Sequence, residues 1–341
     1  MGVIALNRPE AINALSLEMI EGIAGQLEAW RDDAGVRAVL FEGRGTRGFC
    51  SGGDVRDVRR RVLDGDMDAA RSYFETEYRM DGLIADYAKP VVTMTDGIVM
   101  GGGIGIAGHA AFRVTTPDAR YAMPEGTIGF VPDVGVNWIL GKAPEHRALM
   151  FLMSGLPVTG ADVLALGLAD CAVAPERLAE TRAGLVAAAA TGDIEPALVA
   201  LLQSETIEAG EPILCGLADR HEGAFAGETA AEIATALATA AEDDPDLRPV
   251  SEALAARSPT SLEAIVIGHR LARRLTSVEA VLALDLRLAT AIAGQADFIE
   301  GVRAQLVDKD RNPRWNPARF EDVDRAALRE AAAEVAAVSQ G

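Results

Sequence analysis

The segment PEGTIGFVPDVG, residues 124–135, sets Glu125 and Asp133 eight positions apart in an otherwise apolar, glycine-punctuated chain. Two carboxylates sharing a closed, partly apolar pocket repel each other. One of them then keeps its proton to higher pH, which suits acid/base work, while an ionised carboxylate can attack a carbonyl. The same residues also fit a surface turn acid and the N-cap of a helix starting near Val134. Just upstream, VMGGGIGIAGH, residues 99–109, is rich in glycine and free of acids. Gly101, Gly102 and Gly103 at a strand-to-helix junction leave backbone N–H groups uncovered at the positive end of a helix dipole, where an oxyanion can be held. FCSGGD, residues 49–54, follows the run AVLFEG and bares its backbone in the same way. Two such junctions can give one N–H each to a single carbonyl oxygen, although each alone is also an ordinary tight turn.

Other chemistries lack their residues. The chain has no GxSxG elbow, no GxxxxGK[ST] phosphate loop and no HExxH. His109, His146, His221 and His269 stand apart from acid or cysteine partners at ligand spacing, so no metal site is expected. Gly103, Gly105 and Gly108 spell GxGxxG, but the next strand-like run, AFRVTT, does not end in the acid that would hold a ribose, so dinucleotide binding is set aside. Cys50, Cys171 and Cys215 show no CxxC spacing, which argues against a disulfide framework or structural zinc and fits a reducing compartment. The net charge of −19 argues against sequence-independent nucleic-acid binding. Arg44, Arg47, Arg56, Arg59, Arg60 and Arg61 are the local exception, read either as a solvated helix face or as an attractor for an anionic group such as a nucleotide phosphate.

These candidates need elements to position them. In the first 175 residues, β-type runs at 3–6, 37–43, 90–97, 111–116 and 169–174 alternate with helical patterns, which implies an α/β architecture with parallel strands. Leu17, Ile20, Ile23, Ala24, Leu27 and Trp30 recur at helical spacing after Ser16, an expected N-cap. A strand so close to Met1 suggests a clipped start or the loss of a preceding edge strand. From 176 onward the chain turns Ala-rich and helical, and AEDDPDLRP, residues 241–249, reads as a loop or hinge. The expected division is 1–175 as the core that carries the site and 176–341 as a helical region that covers it. No apolar run approaches the roughly 20 residues needed to span a bilayer, and the start lacks a basic leader, so a cytoplasmic location is expected.

Taken together, NRPEAINALS, GFCSGGD and KPVVTMTDGIVMGGGIGIAGHAAFRVTTPDARYAMPEGTIGFVPDVG closely resemble the crotonase, or enoyl-CoA hydratase/isomerase, superfamily over about residues 2–175. The resemblance implies a crotonase (ClpP-like) spiral of ββα units binding an acyl-CoA thioester, with an oxyanion hole at the backbone of Ser51 and Gly102. Hydratases of that superfamily use two glutamates. The second matches Glu125, but the first falls on Gly105, which has no side chain, so addition of water across a double bond lacks one of its proton-handling groups. Asp133 stands where a further family glycine is usual. This exchange, with SPTSLEAI and DFIEGVRAQLVDKDRNPRWNP in the tail, is similar to the 3-hydroxyisobutyryl-CoA hydrolase branch and extends the match nearly to residue 320.

That branch implies cofactor-independent hydrolysis of a short 3-hydroxyacyl-CoA in valine breakdown, with Glu125 as nucleophile or base and Asp133 as its partner. It also implies substrate contacts at Glu77, Gly53, Asp54 and Gly101. Coenzyme A enters as part of the substrate, its phosphates meeting Arg8 or the Arg56 to Arg61 cluster. Neither nucleic acid nor membrane is an expected partner, and a homo-oligomer is compatible with the resemblance. An isomerase of the same superfamily, and a non-catalytic CoA-binding scaffold, are the alternatives that the acid pair alone leaves open.

Overall fold

The strands are β1 (Gly2–Leu6), β2 (Val39–Gly43), β3 (Gly48–Cys50), β4 (Val91–Met94), β5 (Ile98–Met100), β6 (Phe112–Thr115), β7 (Arg120–Ala122) and β8 (Cys171–Ala172). In chain order the helices start with α1 (Leu17–Arg31), α2 (Val55–Leu63), α3 (Met67–Ala85), α4 (Gly102–Gly108), α5 (Val136–Leu140), α6 (Glu145–Ser154), α7 (Gly160–Ala165) and α8 (Leu178–Ala188). They continue with α9 (Ile194–Glu205), α10 (Ile213–Arg220), α11 (Ala230–Asp243), α12 (Arg248–Ala256), α13 (Pro259–Ala272), α14 (Val278–Ala293), α15 (Ala296–Val302) and α16 (Arg325–Ala333). The structure is a computed structural model and describes residues 1–333. Residues 334–341 of the expected C-terminal region lie outside it. Two compact units make up the chain, the first from 1–53, 79–121 and 158–213, the second from 54–78, 122–157 and 214 onward.

In the first unit a five-stranded sheet runs in the order β1-β2-β4-β6-β8, with parallel pairing throughout. A three-stranded sheet runs β3-β5-β7. Consecutive strands thus divide between the sheets, β2 with β3, β4 with β5 and β6 with β7, and helices return the chain for the next pair. This is the expected α/β arrangement of ββα units. Its strands read as near-continuous apolar runs because both faces are covered, as parallel sheets require. In β2, Val39 to Glu42 are all buried. Leu40, Val92 and Val114 of neighbouring strands share a core with Val173, Leu185, Ala188, Leu198 and Leu202. Helices α8 and α9 therefore close the sheet that residue 175 was expected to end, because its apolar face has to be buried against something. Ser16 caps α1 as expected, its hydroxyl accepting from the Met19 amide at 3.3 Å.

The second unit is helical. α13 is buried along nearly its whole length and is capped by Ser258, whose hydroxyl accepts from the Ser261 amide. α11 opens on a capping box between Thr229 and Glu232. The stretch 241–249, expected as a loop or hinge, is a tight junction. Asp244 accepts from the Asp246 amide at 3.1 Å, and a 3-10 turn at Pro245–Leu247 leads straight into α12. On α2, Arg61 pairs with Asp57 at 2.8 Å, Arg60 pairs with the same carboxylate, and Arg59 donates to the Ile299 carbonyl at 2.9 Å. These contacts favour the helix-face reading of the arginine cluster over an open anion site.

Candidate active site

In the first unit, two junctions of glycine meet. Gly52 has φ +101°, and a Cβ there would lie 3.2 Å from the Met100 carbonyl and 3.5 Å from the Gly102 nitrogen. A Cβ on Gly103 would stand 2.7 Å from the Cys50 carbonyl. Only glycine lets the chain after β3 approach the start of α4 this closely. The Ser51 amide, expected as an oxyanion donor, is already committed: it donates to the Ile12 carbonyl at 2.9 Å, and its hydroxyl donates to Ala11. Among the described residues no hydrogen bond engages the amides of Gly53 or Gly102. The donor pair that remains is Gly53 with Gly102. Gly101, at φ +51°, turns the chain into α4. Gly105 is buried inside α4, so no carboxylate reaches out from that position.

Asn13 holds the approach to this pair. It is fully buried in the left-handed region at φ +55°, and its amide donates to the carbonyls of Arg44, Gly48 and Phe49 at 3.0, 3.3 and 2.9 Å. Its Oδ1 accepts the Arg8 amide at 2.9 Å. One side chain thereby ties the loop after β1 to both ends of the loop between β2 and β3.

In the second unit the acids gather. Glu77 and Tyr78 lie on α3, Glu125 opens a 3-10 turn at Glu125–Ile128, Asp133 precedes α5, and Asp285 sits on α14. Relative exposures are 3% for Glu77, 7% for Glu125, 6% for Asp133 and 2% for Asp285. Tyr78 donates its hydroxyl to Asp133 Oδ2 at 2.5 Å, and Asp285 Oδ2 accepts the Gly135 amide at 2.8 Å. Phe74 stacks on Tyr78 and Phe130, which in turn meets Phe298 at 5.3 Å, giving this unit an apolar wall. Among the described residues no lysine or arginine pairs with any of the four acids. Asp54, expected beside the substrate, donates its amide to the Tyr73 hydroxyl at 3.2 Å.

Burial raises all four carboxyls, and the charge of Asp133 adds to the rise of the other three. Desolvation and then the charge of Asp133 push Glu77 up to about 8. The same two causes hold Glu125 well above the usual range, with Glu77 adding to them. Desolvation raises Asp133 to about 7, opposed by the Tyr78 hydroxyl. Asp285 is raised by burial and by Asp133. Oε1 of Glu77 and Oε2 of Glu125 are buried without a hydrogen-bond partner among the described residues. A buried carboxyl oxygen left open beside acids of raised pKa marks a candidate for chemistry.

The turn that carries Glu125 is clamped by the tail. Gly129, at φ +66°, packs so tightly that a Cβ would fall 2.2 Å from the Asp297 carbonyl oxygen, and one on Gly301 would fall 2.3 Å from the Ile128 carbonyl carbon. Asp297 Oδ2 accepts the Ser258 hydroxyl and Oδ1 the Asn316 amide, both at 2.6 Å. Sequence reasoning missed Tyr78, Asn137 and Asp285. For Asp285 a signal existed: it sits three residues from Leu282 and from Leu288, both buried, so it is an acid on the apolar face of its helix.

Comparison with known proteins agrees with this architecture. The sequence pattern of the enoyl-CoA hydratase/isomerase family matches residues 1–331. The mitochondrial 3-hydroxyisobutyryl-CoA hydrolase of Gallus gallus is 36% identical over 325 residues, covering 94% of this chain and 83% of that protein. 3-hydroxyisobutyryl-CoA hydrolase 1 of Arabidopsis thaliana is 33% identical, covering 94% and 86%. Among solved structures, a carnitinyl-CoA dehydratase from Mycobacterium thermoresistibile superposes with a TM-score of 0.88 at 36% identity, covering 96% of this chain and 92% of that one. An enoyl-CoA hydratase from Rhodobacter sphaeroides 2.4.1 gives 0.86 at 33% identity, covering 97% and 94%. With its split ββα pairs, its glycine junctions and a match along nearly the whole sequence, the chain belongs to the enoyl-CoA hydratase/isomerase family.

Proposed function

We propose that the protein hydrolyses a short 3-hydroxyacyl-CoA thioester, foremost 3-hydroxyisobutyryl-CoA, to the free hydroxy acid and CoA, as in valine breakdown. The observation that carries this reading is a buried Glu125 whose Oε2 has no partner among the described residues, in a chain whose residue 105 is a glycine without a side chain. An acid with an open oxygen suits attack on a carbonyl, whereas adding water to a double bond in this superfamily calls for a further glutamate at the position that Gly105 holds.

The amides of Gly53 and Gly102 are assigned to the thioester oxygen, where they stabilise the charge that develops as the carbonyl becomes tetrahedral. Glu125 attacks the carbonyl carbon, the C–S bond breaks, CoA leaves as a thiolate, and water hydrolyses the resulting anhydride. As a base, Glu125 instead takes a proton from the water that attacks. Asp133, steadied by Tyr78, positions Glu125 or the water, or accepts a hydrogen bond from the substrate's 3-hydroxyl. Glu77, Gly101 and Asp54 are assigned to substrate contacts. All these groups belong to the polypeptide, so we propose that the reaction runs without a cofactor.

The names of the two solved structures, a dehydratase and a hydratase, support a second reading in which the protein acts on a double bond. One experiment separates the two. The protein is incubated with 3-hydroxyisobutyryl-CoA and, separately, with enoyl- and dienoyl-CoAs, while free thiol and ultraviolet absorbance are followed. Thiol release that Glu125→Gln abolishes supports hydrolysis; full release in that variant refutes the assignment, and an absorbance change without thiol favours the second reading. Cys50, Cys171 and Cys215 are buried and form no disulfide, which suits a reducing compartment. We place the protein in the cytoplasm on that chemistry, while several of its relatives are named mitochondrial. A homo-oligomer is part of the same proposal, readable by light scattering.

A further inference from the structure

Asp133 is carried by an unfavourable piece of backbone. Val134, the next residue, has φ +53°, and Gly135 follows at φ +71°. A β-branched residue in the left-handed region costs on the order of 1–2 kcal/mol, and such conformations persist only where the surroundings over-determine them. Tyr78 holds the side chain of Asp133 but does nothing for the turn itself.

Within the turn the Val136 amide donates to the Asp133 carbonyl at 3.0 Å, and a second hold lies 150 residues away. The Asp285 carboxylate on α14 accepts the Gly135 amide at 2.8 Å. It also accepts the Asn137 side-chain amide, whose Oδ1 meets His269 Nδ1 on α13 at 2.9 Å. His269 is fully buried, and burial together with Arg273 and Arg270 pushes it down to about 3, so the ring is neutral. An amide oxygen accepts, so the network assigns the ring proton to Nδ1. Asp285, Asn137 and His269 thus form one buried polar chain across α14, α5 and α13. Burying such a chain is a poor way to gain stability, since an apolar replacement of the same shape is often neutral or better.

We propose that Asp285 is a positioning residue: through the Gly135 amide and Asn137 it pins the left-handed Val134–Gly135 turn and so fixes the carboxylate of Asp133 against Tyr78. The proposal rests on the reading that Asp133 takes part in the reaction.

The test compares Asp285→Ala with Asp285→Asn in two measurements: kcat/KM on 3-hydroxyisobutyryl-CoA, and hydrogen exchange of the peptide spanning 133–137 by mass spectrometry. Asn keeps an oxygen for Gly135, and a flip of Asn137 with the other His269 tautomer restores the rest of the chain. The expected result is a loss of roughly 100-fold in kcat/KM for the alanine variant, the order of effect of a 1 Å misplacement. Exchange at 133–137 should be at least about tenfold faster while α13 stays protected, with the asparagine variant within about threefold of wild type in both. Wild-type kcat/KM in the alanine variant overturns the proposal, as does equal loss of protection along α13, which would mark a packing role. If Asp285→Ala does not fold, Asn137→Leu carries the same comparison, with roughly a tenfold loss of kcat/KM and local exchange expected and wild-type values of both overturning it. If wild type shows no turnover, the hydrolase reading fails, and the exchange contrast at 133–137 still decides whether Asp285 pins the turn.

Discussion

Replacing Gly301 by alanine should damage both stability and turnover, although the change adds one methyl group and touches no acid. The added Cβ would lie 2.3, 2.5 and 2.6 Å from the carbonyl carbon, oxygen and Cα of Ile128. Carbon atoms sit comfortably at about 3.5–4.0 Å, so relief needs a displacement on the order of 1 Å. All three atoms are backbone, so no rotamer change can supply it. A few residues away the same two segments meet again main chain to main chain, where Gly129 faces the Asp297 carbonyl. Either α15 moves out or the turn Glu125–Ile128 moves in, and the second path drags Glu125 with it.

Overpacking of this kind costs about 1–3 kcal/mol, and the absence of side-chain give places Gly301→Ala toward the upper end. A shift on the order of 1 Å at Glu125 would cost a further factor of roughly 100 in turnover. The assay is thermal unfolding by circular dichroism with initial thiol-release rates at saturating substrate. Gly216→Ala is the control. That residue lies inside α10 with nothing within 4 Å of its would-be Cβ, so alanine there should leave the rate alone and stabilise by about 0.5–1 kcal/mol. A Gly301→Ala protein with the wild-type midpoint and rate would refute the clamp.

Three further outcomes follow from the same geometry. Because Glu77 and Asp133 have folded-state pKa values raised to about 8 and about 7, above those of the unfolded chain, their contribution to stability is fully present below about pH 4 and is lost as pH rises through about 7 to 8, and Glu125 and Asp285, raised by burial as well, act in the same direction. The unfolding midpoint should therefore fall over that window from this source, and Glu77→Gln should flatten the slope; a slope unchanged in Glu77→Gln would contradict the assignment. Tyr78→Phe removes the hydroxyl that opposes the rise of Asp133, so the ionisation belonging to Asp133 in the pH–rate profile should move to higher pH, and a downward or absent shift would count against that bond. Asn13→Ala leaves three carbonyls without their side-chain donor, at about 1–3 kcal/mol for each one that stays buried, and should lower the unfolding midpoint by several degrees; a wild-type midpoint would show that the loops hold themselves.

What the sequence revealed and what it hid divide along physical lines. The five strands of the larger sheet were legible because each lies in an apolar run that stands out, even β8, whose two residues sit inside ADCAVA, and both faces of a parallel sheet demand such runs. β3, β5 and β7, the second strand of each pair, escaped because GFC, IVM and RYA are three residues apiece, too short for any periodicity, and exist only through pairing. Glu125 and Asp133 were legible because their surroundings in sequence, glycine and apolar residues, are also part of their surroundings in space. The Ser51 amide shows the opposite case. Its availability depends on Ile12, which at φ +51° turns a carbonyl toward it, and nothing in FCSGGD records that partner. Asp285 is hidden for the same reason: an acid at one end of a 150-residue separation from Gly135 reads as an oddity of its own helix until the fold supplies the amide that it accepts. The residue types that do chemistry can thus be found by local pattern, while the groups that set their geometry and charge act across long loops. A reading of this family's sequences gains most by asking which lone acids on apolar helix faces have an unexplained polar partner to find.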